Sequence, residues 1–449
     1  MDEKQNNSSW FAGIPGILVL LLIALAANYF HAWQISALFF LLLFLCVSSF
    51  FWSRGVLRRA ALSVTASQGE CYAGESLWLE VKVKNNSFFP LTWLDLLLLT
   101  GKRPLVRQAS REKPLWYQRE GEREAQTGFR LRFVWLLWQQ EIIWKEELCT
   151  MSRGIVRLKT AILQAGDGLG LSVRERVYPL EVPVSLTIFP RTTSVHAQPF
   201  LKLIQEAAAK NRGQEEDITI LKSSRPYAPG DPMKRINWRL LAAGGRMEVN
   251  VYENVMPGCM TFLLDLASFC KVVESEESQG VTYLEVFLLE RDLERMISFA
   301  ASCIREIASH QIQTALIIPG YGNREAVFCR LEGAEEALRG AMEALAGIDY
   351  CGEEVHFPYE DFWGEIHKLG SIYICTRTDA GSCFDGLAEE LGRGRARYLV
   401  LRRSAVSDSS FECLCEEDIC EQPLSWETVE EERFVERRIK EESSHEKAH

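Results

Sequence analysis

Within fifteen residues of a 449-residue chain, Arg225, Lys234, Arg235 and Arg239 crowd around a single acid, Asp231, with Tyr227 and Trp238 among them. Guanidinium groups make planar, bidentate contacts with carboxylates, and arginine-rich surfaces suit charged partners. The plain alternative is a capped surface helix that is basic. Asp265 is a second candidate. It closes the short apolar run 260–264, where an acid at the carboxyl end of an open sheet either meets a ligand or caps the strand. Cys413, Cys415 and Cys420 are a third group, with one and then four residues between them. Zinc sites favour closer Cys pairs and a fourth ligand, and no histidine stands near these three, so the spacing is poor for a metal. The seven histidines (His31, His196, His310, His356, His367, His445 and His449) fall in no nucleophile or metallohydrolase motif. The sequence has no Walker-type loop and no Gly-x-Gly-x-x-Gly, which removes nucleotide binding by those routes.

The elements that position these residues follow from local pattern. Pro229-Gly230 is turn chemistry, since Pro presets φ and Gly allows positive φ. Asp231 then stands as an N-cap and Pro232 as a first helical residue. Ile236, Leu240 and Leu241 keep a helical spacing, and Gly244-Gly245 ends it. The segment is predicted to be a tight turn feeding a short basic helix, with a strand over 249–252. Upstream, Leu77, Leu79, Val81 and Val83 alternate with Trp78, Glu80, Lys82 and Lys84, and Phe129, Leu131 and Phe133 alternate with Arg130 and Arg132. Such strands between turn clusters over 62–190 predict an all-β sandwich-like module, with 101–128 as a charged exposed loop. Residues 198–222 read as a helix and a polar connector. From 260 onward, strands over 260–264, 312–318, 371–376 and 398–401 alternate with helices over 284–310, 334–346 and 384–391. That order predicts an α/β doubly wound domain, a parallel sheet covered on both faces. The chain beyond 404 changes character and from 427 is mostly charged, a solvated tail.

The composition bounds the rest. A net charge of −11 argues against a general nucleic-acid binder. Thirteen irregularly spaced cysteines fit a reducing compartment better than a disulfide framework. Residues 11–30 and 33–52 are uncharged apolar runs, each about the 20 residues a helix needs to cross a bilayer. They predict a two-helix transmembrane hairpin, with Trp10, Tyr29, Trp33 and Trp52 placed as interfacial aromatics. Arg54, Arg58 and Arg59 follow the second run, so that end reads as cytoplasmic, and an even number of spans puts the N-terminus there too. The expected organisation is a hairpin over 1–56, the β module over 57–195, a connector with the signature turn and helix over 196–258, the α/β domain over 259–405 and a charged tail over 406–449. The expected location is the cell membrane, multi-pass, with the folded domains in the cytoplasm.

The core Arg225-x-Tyr227-x-Pro229-Gly230-Asp231, followed by Arg235-Ile236-x-Trp238, resembles the signature of the bacterial domain-of-unknown-function family fifty-eight. Two positions depart from it. Asn237 stands where the family has Asp, and an Ala-Arg pair after the helix reads Ala242-Ala243. Arg153-Gly154 and Asp167-Gly168-Leu169-Gly170-Leu171 resemble the family's amino-terminal half. The resemblance implies a von Willebrand factor A-type domain after the signature, whose metal site begins Asp-x-Ser-x-Ser. Here that stretch is Asp265-Leu266-Ala267-Ser268-Phe269, so both expected hydroxyls are missing and Ser268 is out of phase. Thr376 and Asp379 resemble the distal Thr and Asp of such sites. The degenerate set Asp265, Ser268, Thr376 and Asp379 implies weak binding of Mg2+ or none, since ligand number and charge set affinity.

The resemblance further implies a partner, a MoxR-type AAA+ ATPase, and a role in assembling or remodelling protein complexes. The expected function is therefore a membrane-anchored, non-catalytic interaction protein with no cofactor. Arg225, Tyr227, Gly230, Asp231, Arg235 and Trp238 are the expected contact residues, and Arg225, Asp231 and Arg235 are expected to lock neighbouring modules through buried or half-buried ion pairs. The alternatives are an envelope-associated ligand-binding module and a metal-dependent hydrolase.

Overall fold

The computed structural model describes residues 3–4, 14–111, 113–118, 125–167, 173–200, 202, 216–254, 259–269, 283–310, 312–331, 335–350, 354–356, 371–378, 384–391, 396–403 and 413–421. The chain divides into two units, Met1–Pro190 and Arg191–His449.

The first unit opens with a two-residue strand β1 (Glu3–Lys4), then helices α1 (Ile14–Tyr29) and α2 (Trp33–Arg59). The helices pack against each other across a tight connection in which His31 takes φ 56° and Ala32 N donates to Ala27 O at 3.0 Å. Among the described residues one helix is long and apolar enough to cross a membrane, over Trp33–Trp52. The first apolar run forms only 16 helical residues, about 24 Å at the usual rise. The remaining strands are β2 (Ala60–Ala66), β3 (Glu70–Tyr72), β4 (Ser76–Asn85), β5 (Leu91–Gly101), β6 (Val106–Gln108), β7 (Leu115–Tyr117), β8 (Gln126–Leu136), β9 (Glu141–Thr150), β10 (Gly154–Gly166) and β11 (Val173–Phe189). They form two sheets. One runs β1-β11-β10-β5-β8-β7 with β3 also on β11, the other β2-β4-β9-β6. Alternating residues of both face one core: Leu62, Val64, Leu79, Val81 and Val83 from the smaller sheet, and Leu94, Leu96, Leu98, Phe129, Leu131 and Leu163 from the larger. The predicted alternation over 77–84 is thus the core pattern itself. The stretch 101–128 is not simply a loop, because β6 and β7 lie in it as edge strands too short to show a period.

In the second unit β12 (Glu216–Pro226) pairs antiparallel with β13 (Glu248–Asn254), and the helix α3 (Trp238–Gly244) lies between them in sequence. The connector expected over 198–222 therefore ends in a strand. The α/β part follows with β14 (Cys259–Leu264), α4 (Tyr283–Ser309), β15 (Gln313–Ile318), β16 (Gly320–Tyr321), β17 (Val327–Leu331), α5 (Glu335–Ala346), β18 (Val355–His356), β19 (Ser371–Thr378), α6 (Asp385–Leu391), β20 (Ala396–Arg402), β21 (Cys413–Cys415) and α7 (Glu416–Ile419). Its main sheet is mixed, ordered β17-β15-β14-β19-β20-β21, parallel throughout except for β17. Leu263, Ile317, Ile374 and Val400 form a core with Phe384, Leu387 and Leu391 of α6. The alternate residues Phe262 and Tyr373 stack with ring centroids 5.6 Å apart, and α4 brings Cys303 next to Cys375. Odd and even positions thus bury against different helices, which is why these strands read as unbroken apolar runs.

Two boundaries differ from expectation. Residues 191–196 belong to the second unit, where Thr193 N donates to Ser302 Oγ at 3.0 Å and His196 N to Ile419 O at 2.8 Å. Residues 413–421, placed in the tail by their charged flanks, supply the edge strand β21 and α7. Residues 422–449 of the tail lie outside the described residues.

Candidate functional site

Three of the residues expected at the carboxyl end of the sheet meet there. Asp265 follows β14, its backbone N–H donating to Cys375 O at 2.9 Å. Its carboxylate is buried, with 1% of the residue exposed, and accepts from Thr376 Oγ1 at 3.0 Å and from Ser268 N at 3.3 Å. The Ser268 hydroxyl turns back to donate to the Asp265 carbonyl at 2.7 Å. Ala267 offers no side-chain oxygen, and Phe269 is buried. The Ser268 hydroxyl thus serves the turn itself, and the Thr376 hydroxyl ties the Asp265 carboxylate to β19. Asp379 lies outside the described residues. Among those described, the donor set does not fit a divalent ion, which asks for several oxygens that converge on one point.

Beside this turn is a constellation that the sequence did not mark. Asp292 on α4 is 1% exposed and accepts from Arg377 Nε at 3.0 Å and from Arg402 Nη2 at 3.1 Å. Arg377 is the penultimate residue of β19 and Arg402 the last of β20, so one buried carboxylate ties two adjacent strand ends to α4. Both arginines remain partly in water, at 32% and 48% side-chain exposure. This arrangement is a clamp. No described His, Cys, Asp or Glu cluster is gathered for a metal, and the thiols of Cys303 and Cys375 are raised by burial away from the thiolate form. Cys420 is pushed up to about 12, chiefly by burial, and Cys415 packs with its thiol toward Leu401 O.

The signature segment forms a separate constellation on β12–α3–β13. Arg225 donates from Nη1 to Asp231 Oδ2 at 2.8 Å and from Nη2 to Oδ1 at 2.5 Å, and Asp231 Oδ2 also accepts from Ala228 N at 2.9 Å. The bidentate contact with Arg225 holds the Asp231 carboxyl below the usual carboxylate range, helped by the Ala228 N–H. Asp231 therefore closes the turn at Gly230, whose φ is 109°, and does not cap the helix. Helix capping falls to Asn237, which accepts from Leu240 N at 3.1 Å, while a single 3-10 turn spans Met233–Arg235. Asn237 Nδ2 also donates to Asn250 Oδ1 at 2.9 Å, pinning the helix start to β13. Asn237 is thus the N-cap, and it satisfies a helix N–H that has no intrahelical partner. Gly245 takes φ 64° as the helix stop. Of the expected lock, the Arg225–Asp231 pair closes within this hairpin, six residues apart, with the arginine side chain 49% and the aspartate side chain 14% exposed.

This hairpin also exposes apolar side chains. Met233 is 72% exposed, Trp238 59%, Met247 44% and Leu240 41%, and Lys234, Arg239 and Arg246, their neighbours in sequence, are exposed too. Tyr227 and Arg235 are half-buried.

No protein-family model and no curated protein matches the chain. Among solved structures, a CARDB domain from Pyrococcus furiosus, in complex with di-metal ions, is 8% identical and matches 29% of this chain and 91% of its own at a TM-score of 0.18. A cohesin module of a Clostridium perfringens family 33 glycoside hydrolase is 13% identical over 29% of this chain and 97% of its own, at 0.19. A non-cellulosomal cohesin from Archaeoglobus fulgidus is 13% identical over 34% of this chain and 99% of its own, at 0.17. Scores this low assign neither fold nor function.

Proposed function

We propose that this chain is a membrane-anchored, non-catalytic interaction protein whose signature hairpin docks a MoxR-type AAA+ ATPase. The observation that carries the reading is the exposed Met233, Trp238 and Leu240, interspersed along the same hairpin with the exposed Lys234, Arg239 and Arg246. Aromatic, Met and Arg residues are the ones that dominate protein interfaces, and a basic rim speeds encounter with an acidic partner. The resemblance to family fifty-eight supplies the identity of the partner. The parallel sheet with one antiparallel edge suits the von Willebrand A-like domain that this resemblance implies. In our reading that domain works without an ion, because Thr376 and Ser268 occupy Asp265 and a carboxylate–arginine clamp stands next to it.

Anchoring in our reading comes from α1 and α2 crossing together. The short connection between them and the pairing of Glu3–Lys4 with Glu175–Arg176 bring both ends of the helix pair to one side, which Arg54, Arg58 and Arg59 mark as cytoplasmic. The shorter α1 spans by local thinning of the bilayer or by tilt of its neighbour.

Co-expression with a MoxR-type ATPase and affinity capture of the full chain tests the docking. Capture is expected to fall at least several-fold with Trp238→Ser and with Arg239→Glu; unchanged capture by both sinks the role of this hairpin. A magnesium titration followed by thermal unfolding is expected to give no shift at millimolar ion, and a saturable upward shift would restore a metal at Asp265.

A further inference from the structure

A second apolar surface lies in the first unit, and its position relative to α2 says what covers it. The hairpin joining β8 to β9 reads Trp135-Leu136-Leu137-Trp138-Gln139-Gln140, six residues without a charge. Trp135 is 70% exposed, Trp138 60% and Leu137 50%, and Phe88 in the neighbouring β4–β5 loop is 82% exposed. Trp135 and Gln139 hold φ of 56° and 58°, a region that side chains rarely adopt, so the backbone is strained on both sides of Trp138. Asn85, fully buried, ties the two loops together. Its Nδ2 donates to the carbonyls of Phe89 at 2.9 Å and of Leu136 and Leu137 at 3.2 Å, while its backbone accepts from Gln139 N at 2.7 Å and donates to Gln140 O at 3.0 Å. A neutral amide therefore ties together the backbones of the two loops that carry these apolar side chains.

That group stands beside the end of the apolar helix. Trp52 donates from Nε1 to Pro90 O at 2.9 Å and packs on Phe89 with ring centroids 5.4 Å apart. Three residues deeper, Ser49 bonds the buried Asp167, and Arg174 lies over the Phe50 ring at 5.0 Å. The loops at this end of the sandwich thus reach the last turn of the apolar run, about 5 Å along the helix. The interfacial zone of one leaflet is about 5–8 Å deep. Trp and Phe at that level have their ring in the apolar boundary, and Trp has its N–H toward headgroups.

We infer that the Trp135–Trp138 hairpin tip, together with Phe88, is a second membrane contact, inserted in the headgroup zone of the leaflet from which α2 emerges. It fixes the β unit's orientation on the bilayer, as amphipathic segments with exposed Trp, Phe and Leu do. This rests on the anchoring reading above, and the test separates the two. The full chain is reconstituted in phosphatidylethanolamine–phosphatidylglycerol vesicles with the photoreactive p-benzoylphenylalanine at one position at a time: in place of Leu38 on the exposed side of α2, of Trp138 at the tip, or of Trp78. Trp78 is also exposed but lies seven residues back from Asn85 along β4, roughly 23 Å of strand. After illumination, mass spectrometry is expected to find lipid adducts at positions 38 and 138, with the yield at 138 several-fold above that at 78. Lipid adducts at 38 with none at 138, or with only protein adducts there, overturn the inference and leave the anchor standing. No lipid adduct at 38 removes the anchor and the inference with it.

Discussion

Two acid–arginine constellations in the second unit differ in sequence span, in geometry and in how deeply the acid is buried, while Arg225 and Arg402 are about equally exposed. Arg225 and Asp231 are six residues apart and meet in a bidentate geometry, the arginine half in water and the aspartate 14% exposed at its side chain. Asp292 reaches Arg377 and Arg402 across 85 and 110 residues, one bond to each, and the acid is buried. The first pair has the better geometry. The second has the larger consequence, because water solvates an exposed pair that is broken and cannot reach a buried carboxylate that loses its partners. The motif that is easiest to read is therefore the one expected to matter less for stability.

The sharpest way to break this comparison is to strip the clamp. Arg377→Ala with Arg402→Ala strips Asp292 of both arginines and is expected to give the largest loss in denaturant unfolding, up to about 3–5 kcal/mol and less to the extent that water replaces the two partly exposed side chains. Adding Asp292→Ala to that double variant is expected to restore part of the loss, since the unpaired charge is then gone. If the triple variant is less stable than the double, Asp292 is held by something other than these arginines. A smaller loss tests the neighbouring acid. Thr376→Val keeps the shape and removes the bond to the Asp265 carboxylate, at about 1.5–3 kcal/mol for a hydrogen bond to a charge. A loss under roughly 0.5 kcal/mol would show that Asp265 does not need this donor.

The difference also explains what could be read from the residues. Asp265 was legible because a short apolar run ends in it. The β unit was legible because its strands alternate, as over 77–84. Asp292 was not, because on α4 it stands among Glu290, Arg291, Glu294 and Arg295, and nothing local separates the acid that faces inward from those on the rim. Its partners lie at the ends of two strands far along the chain, a relation that only the sheet order creates. The capping of α3 shows the same limit at close range. Asp231 and Asn237 both suit an N-cap, and the choice between them depended on Arg225 taking the aspartate. β21 was hidden because three residues show no period.

Within the signature hairpin the expected effects shrink further. Asn237→Ala removes the cap of α3 and its bond to Asn250, and is expected to cost about 1 kcal/mol, seen as lost amide protection over α3. Equal protection in the variant would move the cap elsewhere.

The least effect belongs to Asp231. Its carboxyl titrates lower in the folded chain than in the unfolded chain, so its contribution is complete above the ordinary value of 3.8 and fades as pH falls below that, through the lowered folded value. Because the pair is exposed, the unfolding midpoint at neutral pH is expected to stay unchanged in Asp231→Asn. What changes is local: amide exchange at Ala228, whose N–H the carboxylate accepts, quickens in the variant and in the native chain below that pH. A fall in the global midpoint comparable with that of Thr376→Val would erase the contrast between the two constellations. It would mean that the turn at Gly230 supports far more of the fold than its exposure allows.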